Sequence, residues 1–277
     1  MIKALPLLLF PPHAMPYPAP KNLSAAIGLP VSDGLFLHAD WPAPANVKTL
    51  VSTRQGGVSI APYASLNIGA HVGDNPEHVA HNRAIVQAAV PVPLAYLNQT
   101  HGTHVVAAAD AVAVLKDADA SVDRSGKAAC AVMTADCLPV LFCTADGRCV
   151  AAAHAGWRGL AGGILQNTVA AMQADPADIL AYLAPAIGPD AFEVGADVFD
   201  AFCLRDPAAE AAFTDIGGGK YLADIYALAA RVLRREGVTQ TYGGTHCTVL
   251  ERDTFFSYRR DGQTGRMVSA VWLEEAV

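Results

Sequence analysis

Three short polar motifs stand out from an otherwise apolar chain: Asn98-Gln99-Thr100-His101-Gly102, Thr134-Ala135-Asp136-Cys137-Leu138-Pro139 and His154-Ala155-Gly156-Trp157-Arg158-Gly159. Between them, His101, Cys137 and His154 offer two imidazoles and one thiol. These donors suit zinc, and three protein ligands leave the fourth position of a tetrahedral ion open, which marks a catalytic rather than a structural site. Zinc in such a site brings the pKa of its water to near 7 and makes a nucleophile available at neutral pH. The spacings are not those of a zinc finger, and a histidine beside glycine is also an ordinary turn residue. It is the joint occurrence of the three motifs that points to a metal. His104 and His246 compete as ligands. Copper also accepts Cys with two His, although four-electron oxygen chemistry needs several coppers and more histidines than one such cluster supplies.

Other residues in these motifs could act beside a metal. Asp136, adjacent to Cys137, is a candidate general base or imidazole-orienting carboxylate, and equally a turn-capping aspartate. Arg54 precedes Gln55-Gly56-Gly57 and Arg158 precedes Gly159, so each guanidinium sits where backbone could approach an anion closely. Arg158 also leads into an expected helix start, a natural place for phosphate; an ordinary salt bridge is the alternative for both arginines. The run Phe255-Phe256-Ser257-Tyr258-Arg259-Arg260 offers either a rim for a flat ring or core packing with surface charge.

The elements that must carry these motifs are legible in outline. Strands are expected at Thr49–Arg54, Leu94–Leu97, Ala129–Thr134, Leu138–Cys143, Val150–Ala153, Ile179–Ala184 and Val268–Leu273, with a turn at Asp146-Gly147. Asn75-Pro76 opens a helix running to about Ala89, with Asn as cap and Pro in the first turn. Further helices are expected at Leu160–Gln173 and Tyr221–Glu236, the latter closed by Gly237. Helices and strands mix without strict βαβ alternation, which predicts an α+β layered domain. Each candidate ligand falls at or near a strand end, where a rigid sheet can hold converging loops.

The 277 residues are 52% apolar and 16% charged, enough for a substantial core, and the formal net charge is −7. No Lys/Arg run suggests a nucleic-acid surface. None of the six cysteines forms a CxxC pair, which places the chain in a reducing, cytoplasmic setting. Residues 1–30, with the proline-broken run Ala4–Phe10, are expected to be a poorly ordered extension and 31–277 a single domain. No segment reaches the roughly 20 apolar residues of a membrane span.

Seven motifs then appear in order: Ser52-Thr53-Arg54-Gln55-Gly56-Gly57-Val58-Ser59, Ser65-Leu66-Asn67, the three above, Ala186-Ile187-Gly188-Pro189 and Phe256-Ser257-Tyr258-Arg259-Arg260. Through them the chain, over about residues 41–274, resembles the YfiH family, also called the laccase-domain, polyphenol oxidase or purine nucleoside phosphorylase family. The resemblance implies a zinc ion on His101, Cys137 and His154. It implies a layered α-β-α domain with a mixed sheet, similar to the catalytic domain of cytotoxic necrotizing factors. The implied activities are phosphorolysis of adenosine, inosine, guanosine and methylthioadenosine, with adenosine deamination besides. The older laccase label implies copper and phenol oxidation, and members have been linked to peptidoglycan-precursor quality control. The motifs add Asn67, Gln99 and Tyr258 to Arg54 as substrate- or phosphate-binding candidates. Many relatives carry Cys after the Gly-Pro pair, where this chain has Asp190. The expected partners are purine nucleosides and phosphate, with neither nucleic acid nor membrane, in a monomer or homodimer.

Overall fold

Two apolar strand runs that flank a tight polar turn can only be satisfied by burial on both faces, and that is how Ala129–Thr134 and Leu138–Thr144 are placed. The computed structural model describes residues 35–274; the expected N-terminal extension lies outside them. A five-stranded sheet runs in the order β1 (Phe36–Leu37), β2 (Val47–Ser52), β14 (Met267–Leu273), β6 (Ala129–Thr134), β3 (Leu94–Ala95). A six-stranded sheet runs β13 (Gln240–Gly243), β9 (Ile179–Leu183), β7 (Leu138–Thr144), β8 (Val150–Ala155), β5 (Ala120–Asp123), β4 (Val105–Ala107). Both sheets mix parallel and antiparallel pairs.

The two sheets pack face to face. Cys130, Val132 and Val271 of the first meet Leu141, Cys143, Val150 and Ala152 of the second in one buried cluster. Helices cover the outer faces: α1 (Pro76–Ala88) brings Val86 onto Leu50 and Trp272 of the first sheet. On the second sheet, α4 (Ile164–Met172) and α6 (Ile225–Arg235) bring Ile164, Leu165, Leu228 and Leu233 onto Phe142. The expected layered, mixed-sheet architecture is present, with its β layer doubled. The alanines of β8 let its neighbours approach closely on both faces, because they add almost no volume to a strand buried on both sides.

The expected helix over 160–173 is divided. α3 (Trp157–Gly162) and α4 meet at Gly163, whose φ of 112° is open to glycine and breaks the run. The helix expected over 221–236 begins later, because Asp224 caps it by accepting from the Ala227 N–H at 2.9 Å. Residues before the cap form β12 (Lys220–Ala223), which pairs with β10 (Glu193–Gly195) and β11 (Phe213–Gly217) in a small third sheet. No helix among the described residues is long and apolar enough to cross a membrane.

One polar side chain organises the loop between β2 and α1. Asn82, fully buried on α1, donates to the Ser59 hydroxyl and to the carbonyls of Ser65 and Asn67, and accepts from the Val58 N–H. Asn82→Ala leaves several of these groups unpaired in the interior, and each such group costs about 1–3 kcal/mol. Urea unfolding should therefore show a loss of about 3 kcal/mol; an unchanged midpoint would mean water replaces the amide freely.

Candidate metal centre

The strand register decides which residues share the upper edge of the second sheet. In the antiparallel pair of β7 and β8, Leu138 lies opposite Ala155 and Pro139 opposite His154. Cys137, just before β7, and His154, near the end of β8, are therefore brought to the same edge. β5 pairs with β8 so that Ala120 faces Ala153, which sets Asp119 beside His154; the His154 N–H donates to the Asp119 carbonyl at 2.6 Å. His101 arrives on the loop between β3 and β4, which is tied down by the Asn98–Asp117 bridge.

The result is one compact donor group. A ligand atom from each of His101, Cys137 and His154 lies within 4.8 Å of the other two. The Cys137 Sγ and His101 Nε2 are 3.8 Å apart, close to the roughly 3.6 Å between nitrogen and sulfur donors on one tetrahedral zinc. The two imidazoles meet edge to face with centroids 4.8 Å apart. Gly156 walls the cluster: a Cβ there would lie 3.0 Å from the Cys137 Sγ, 3.1 Å from the His101 Cδ2 and 3.5 Å from the His154 Cε1. A thiol, two imidazole nitrogens and a glycine cradle fit a metal ion of the zinc type. His104 takes no part, since its Nδ1 pairs with the Asp117 carbonyl, and His246 is occupied by Glu251 at 2.9 Å.

Asp119 is the residue that sequence reasoning missed. Its carboxylate is wholly buried. It pairs with the His154 Nδ1 at 2.8 Å, so the other ring nitrogen faces the cluster. It also accepts from the backbone N–H groups of Thr100, His101 and Gly102, at 3.1, 2.9 and 2.7 Å, and from the Thr100 hydroxyl at 3.0 Å. Three successive N–H groups can converge on one anion because His101 adopts φ 59°, a conformation that leaves the backbone concave. One carboxylate thus fixes both ligand histidines. The sequence signal was the alternation Asp119, Ser121, Asp123 among alanines, polar residues at strand period yet all buried.

The electrostatics follow from this packing. Burial alone would raise the Asp119 carboxyl, but the bonds from His154, Gly102 and Thr100 outweigh it and hold the pKa near 2. Burial would likewise raise the Cys137 thiol, yet the two imidazoles bring it down to about 6. Burial would lower His154, and its bonds to Asp119 and Cys137 push it up to about 9. Both shifts favour the charged forms, and a metal ion bound there would take up the thiolate and displace the proton from the cluster-facing nitrogen of His154.

The remaining candidates divide between the scaffold and the surface. Asp136 is held at φ 95°, and its carboxylate accepts from the Thr248 hydroxyl and the Arg259 N–H, both at 2.6 Å. It anchors the Cys137 turn to α7 (Tyr258–Asp261), and the imidazole-orienting task belongs to Asp119. Arg54 donates to the carbonyls of Ala64 and Arg252 and lies 4.9 Å from the Phe256 ring centroid, so its guanidinium is spent on the scaffold rather than on an anion. Arg158 is exposed and lies over Trp157, with its centroid distance 4.3 Å. Asn67 is buried, bonding Asp74 and the N–H groups of Gly69 and Arg266. Gln99 pairs both ends of its amide with the Met133 backbone, at 2.8 and 2.7 Å, as a neighbouring strand would. Tyr258 presents an open aromatic face, 60% exposed, beside Arg266.

Two substitutions separate the parts of this centre. Asp119→Asn loses the charge that three N–H groups and an imidazole require, and should weaken zinc binding about 10–100-fold in a chelator competition; unchanged affinity would remove its orienting role. Gly156→Ala keeps an allowed backbone, since φ there is −57°, and adds only the crowding methyl. Its zinc affinity should fall while its thermal unfolding in chelator matches the parent. Equal zinc affinity would show that the cradle has room to spare.

Proteins of known sequence and structure are similar to this chain over most of its length. A family model described as "Multi-copper polyphenol oxidoreductase laccase" matches residues 48–274. The purine nucleoside phosphorylase YfiH of Escherichia coli (strain K12) is 54% identical over 235 residues, spanning 84% of this chain and 96% of that protein. The purine nucleoside phosphorylase of Haemophilus influenzae is 48% identical over 242 residues, spanning 86% and 99%. The crystal structure of Neisseria meningitidis protein NMB0706, of family DUF152, superposes with a TM-score of 0.86 at 69% identity, covering 87% of this chain and 99% of that one. YlmD from Geobacillus stearothermophilus superposes with a TM-score of 0.83 at 30% identity, covering 90% and 99%. With matches over nearly the whole described fold, the chain belongs to the YfiH family, whose model bears the multi-copper polyphenol oxidoreductase laccase description.

Proposed function

We propose that the chain is a zinc-dependent purine nucleoside phosphorylase acting on adenosine, inosine, guanosine and methylthioadenosine, with adenosine deamination as a second activity. The observation that carries the proposal is the group of three donors backed by a buried carboxylate, in a chain half identical to a protein named for that reaction. Zinc accounts for the donors better than a laccase centre does. Among the described residues this is the one group of three or more His, Cys, Asp or Glu side chains gathered for a metal, and a multi-copper oxidase needs several. Six free thiols suit a cytoplasmic enzyme.

His101, Cys137 and His154 would hold the ion, and Asp119 fixes the histidine rings before substrate arrives. Zinc bound there would supply Lewis-acid polarisation to a group at its open side. The protein's own part is positioning. The Asp136 anchor holds the Cys137 turn against α7, so the ligand and the exposed Tyr258 ring keep a fixed relation. Tyr258 offers a flat apolar face of the kind a purine stacks on, and the metal side addresses the sugar. Deamination is a separate step, in which a water oxygen replaces the 6-amino group of adenine and ammonia leaves, and it needs C6 rather than the sugar turned toward the centre.

The decisive measurement is the product distribution from adenosine and inosine with and without phosphate, alongside elemental analysis. Inosine should give hypoxanthine only when phosphate is present, adenosine should release ammonia without it, and one zinc should accompany each chain. Cys137→Ala should lose both zinc and phosphorolysis while keeping its circular dichroism spectrum. Full phosphorolysis by metal-free protein would refute the zinc role, and oxygen uptake with a phenol and bound copper would establish the oxidase instead.

A further inference from the structure

Arg54 is bonded to scaffold carbonyls and Arg158 stacks on Trp157 at the surface, while two other arginines reach the edge of the first sheet next to the Thr134–Cys137 turn. β14 pairs with β6 so that Met267 lies opposite Thr134. Arg266, one residue before Met267, therefore stands beside the Thr134–Cys137 turn. Its backbone N–H is fixed by the Asn67 amide oxygen at 2.9 Å, its Cβ and Cγ lie against Gly69, and its guanidinium lies 5.9 Å from the Tyr258 ring centroid. Arg83 reaches the same edge from α1. Its Nε donates to the Ile68 carbonyl at 2.8 Å, its Nη2 lies 3.8 Å from the Met133 sulfur, and its plane lies 4.3 Å from the Tyr96 ring centroid. Met133 immediately precedes Thr134, and Gln99 grips its backbone from the His101 loop.

Both guanidiniums are locked by carbonyls and aromatic rings while keeping donors to spare. Arg266 uses Nη1 for the carbonyls of Thr264 and Gly265, and Arg83 uses Nε and Nη2. Among the described residues, Nη2 of Arg266 and Nη1 of Arg83 have no hydrogen-bond partner. Next to Arg266, the buried Thr264 hydroxyl also lacks one. Burial, then Arg266 and Arg83, hold the neighbouring His71 imidazole below its ordinary pKa, so three nitrogen bases crowd one place. Burial lowers the Arg266 pKa as well, and the neighbouring Cys137 and Asp136 oppose that shift. Two preorganised forks with N–H groups to spare, next to the three gathered donors, form a receptor for a tetrahedral oxyanion.

We propose that Arg83 and Arg266 form the phosphate subsite of this enzyme, holding monohydrogen phosphate beside the metal centre. The subsite rests on the phosphorylase function proposed above. In the step it serves, one phosphate oxygen forms the bond to the ribose C1′ as the C1′–N9 bond breaks. The electron pair leaves with the purine, and the proton carried by phosphate ends on the departing base. Water needs no such fork, so deamination is spared any dependence on these arginines for anion binding.

The test is calorimetric titration of inorganic phosphate into zinc-loaded Arg83→Gln, Arg266→Gln and Arg266→Lys proteins, with steady-state kinetics on inosine and adenosine. Loss of one charge-assisted pair should weaken phosphate binding and raise the phosphate KM by about tenfold or more, with the nucleoside KM and ammonia release from adenosine nearly unchanged. Arg266→Lys should recover only part of the loss, because an ammonium lacks the fork. Phosphate binding equal to the parent in folded Arg83→Gln and Arg266→Gln overturns the subsite, as does a parent protein that binds no phosphate. If Arg266→Gln fails to fold, Arg83→Gln and the phosphate titration of the parent still decide. Phosphate bound through both arginines with no phosphorolysis of any purine nucleoside would instead sink the proposed function and leave an oxyanion site.

Discussion

A carboxylate with no access to water must be surrounded by donors, and the upper end of this molecule is built to that requirement. Asp119 takes up three successive backbone N–H groups, a hydroxyl and an imidazole. Each bond favours the ionised form, and together they overcome the cost of burial. The same bonds bend the chain at His101 and set the ring of His154. Two candidate ligands, His101 on a loop and His154 on β8, are thereby fixed by one buried charge, and the third follows from the strand pair that joins Cys137 to the end of β8. A preformed donor set of this kind holds its geometry before any ion binds, which is what precise metal chemistry requires.

Around that centre, polar side chains mostly serve as substitutes for backbone. Gln99 completes the edge of β6 where no strand continues. Asn67 and Asn82 fasten the long loop after β2, and Arg54 ties the same loop to the segment before α7. Loops cannot bury unsatisfied peptide groups, so a sheet end crowded with irregular chain needs amides and guanidiniums to satisfy it. These residues look chemical in sequence because they are polar and sit beside glycine, while their work is to hold still the few groups that face substrate.

The division of labour also bears on the two names attached to the family. A single soft and borderline donor set, one thiolate with two imidazoles, suits one ion with Lewis-acid chemistry. Cationic side chains flank that ion's side of the sheet, and an exposed tyrosine stands next to them. This combination suits an oxyanion and a flat heterocycle together, as the proposed function requires, whereas oxygen reduction would call for several redox metals in contact.

Much of this was legible beforehand, for reasons that differ from residue to residue. The apolar runs Ala129–Thr134 and Leu138–Cys143 announced central strands, because burial on both faces leaves no room for alternation. Asn75-Pro76 announced a helix by local capping chemistry. His101, Cys137 and His154 were recognisable because donor type is a property of the residue itself. That Arg54 is bonded to the carbonyls of Ala64 and Arg252, and Asp136 to Thr248 and Arg259, was not legible, because a side chain's partner depends on what lies across space. Asp119 escaped notice for the same reason: nothing within the chain's own neighbourhood says that an aspartate at the start of a strand will meet a histidine one strand away. Sequence alone therefore determined the strand cores, the capped helix and the donor types of the three candidate ligands, all set by local covalent chemistry and hydrophobic pattern. Tertiary structure alone decided which polar groups are spent on the scaffold and which stay free to bind, since register and sheet packing distribute a finite supply of hydrogen-bond partners.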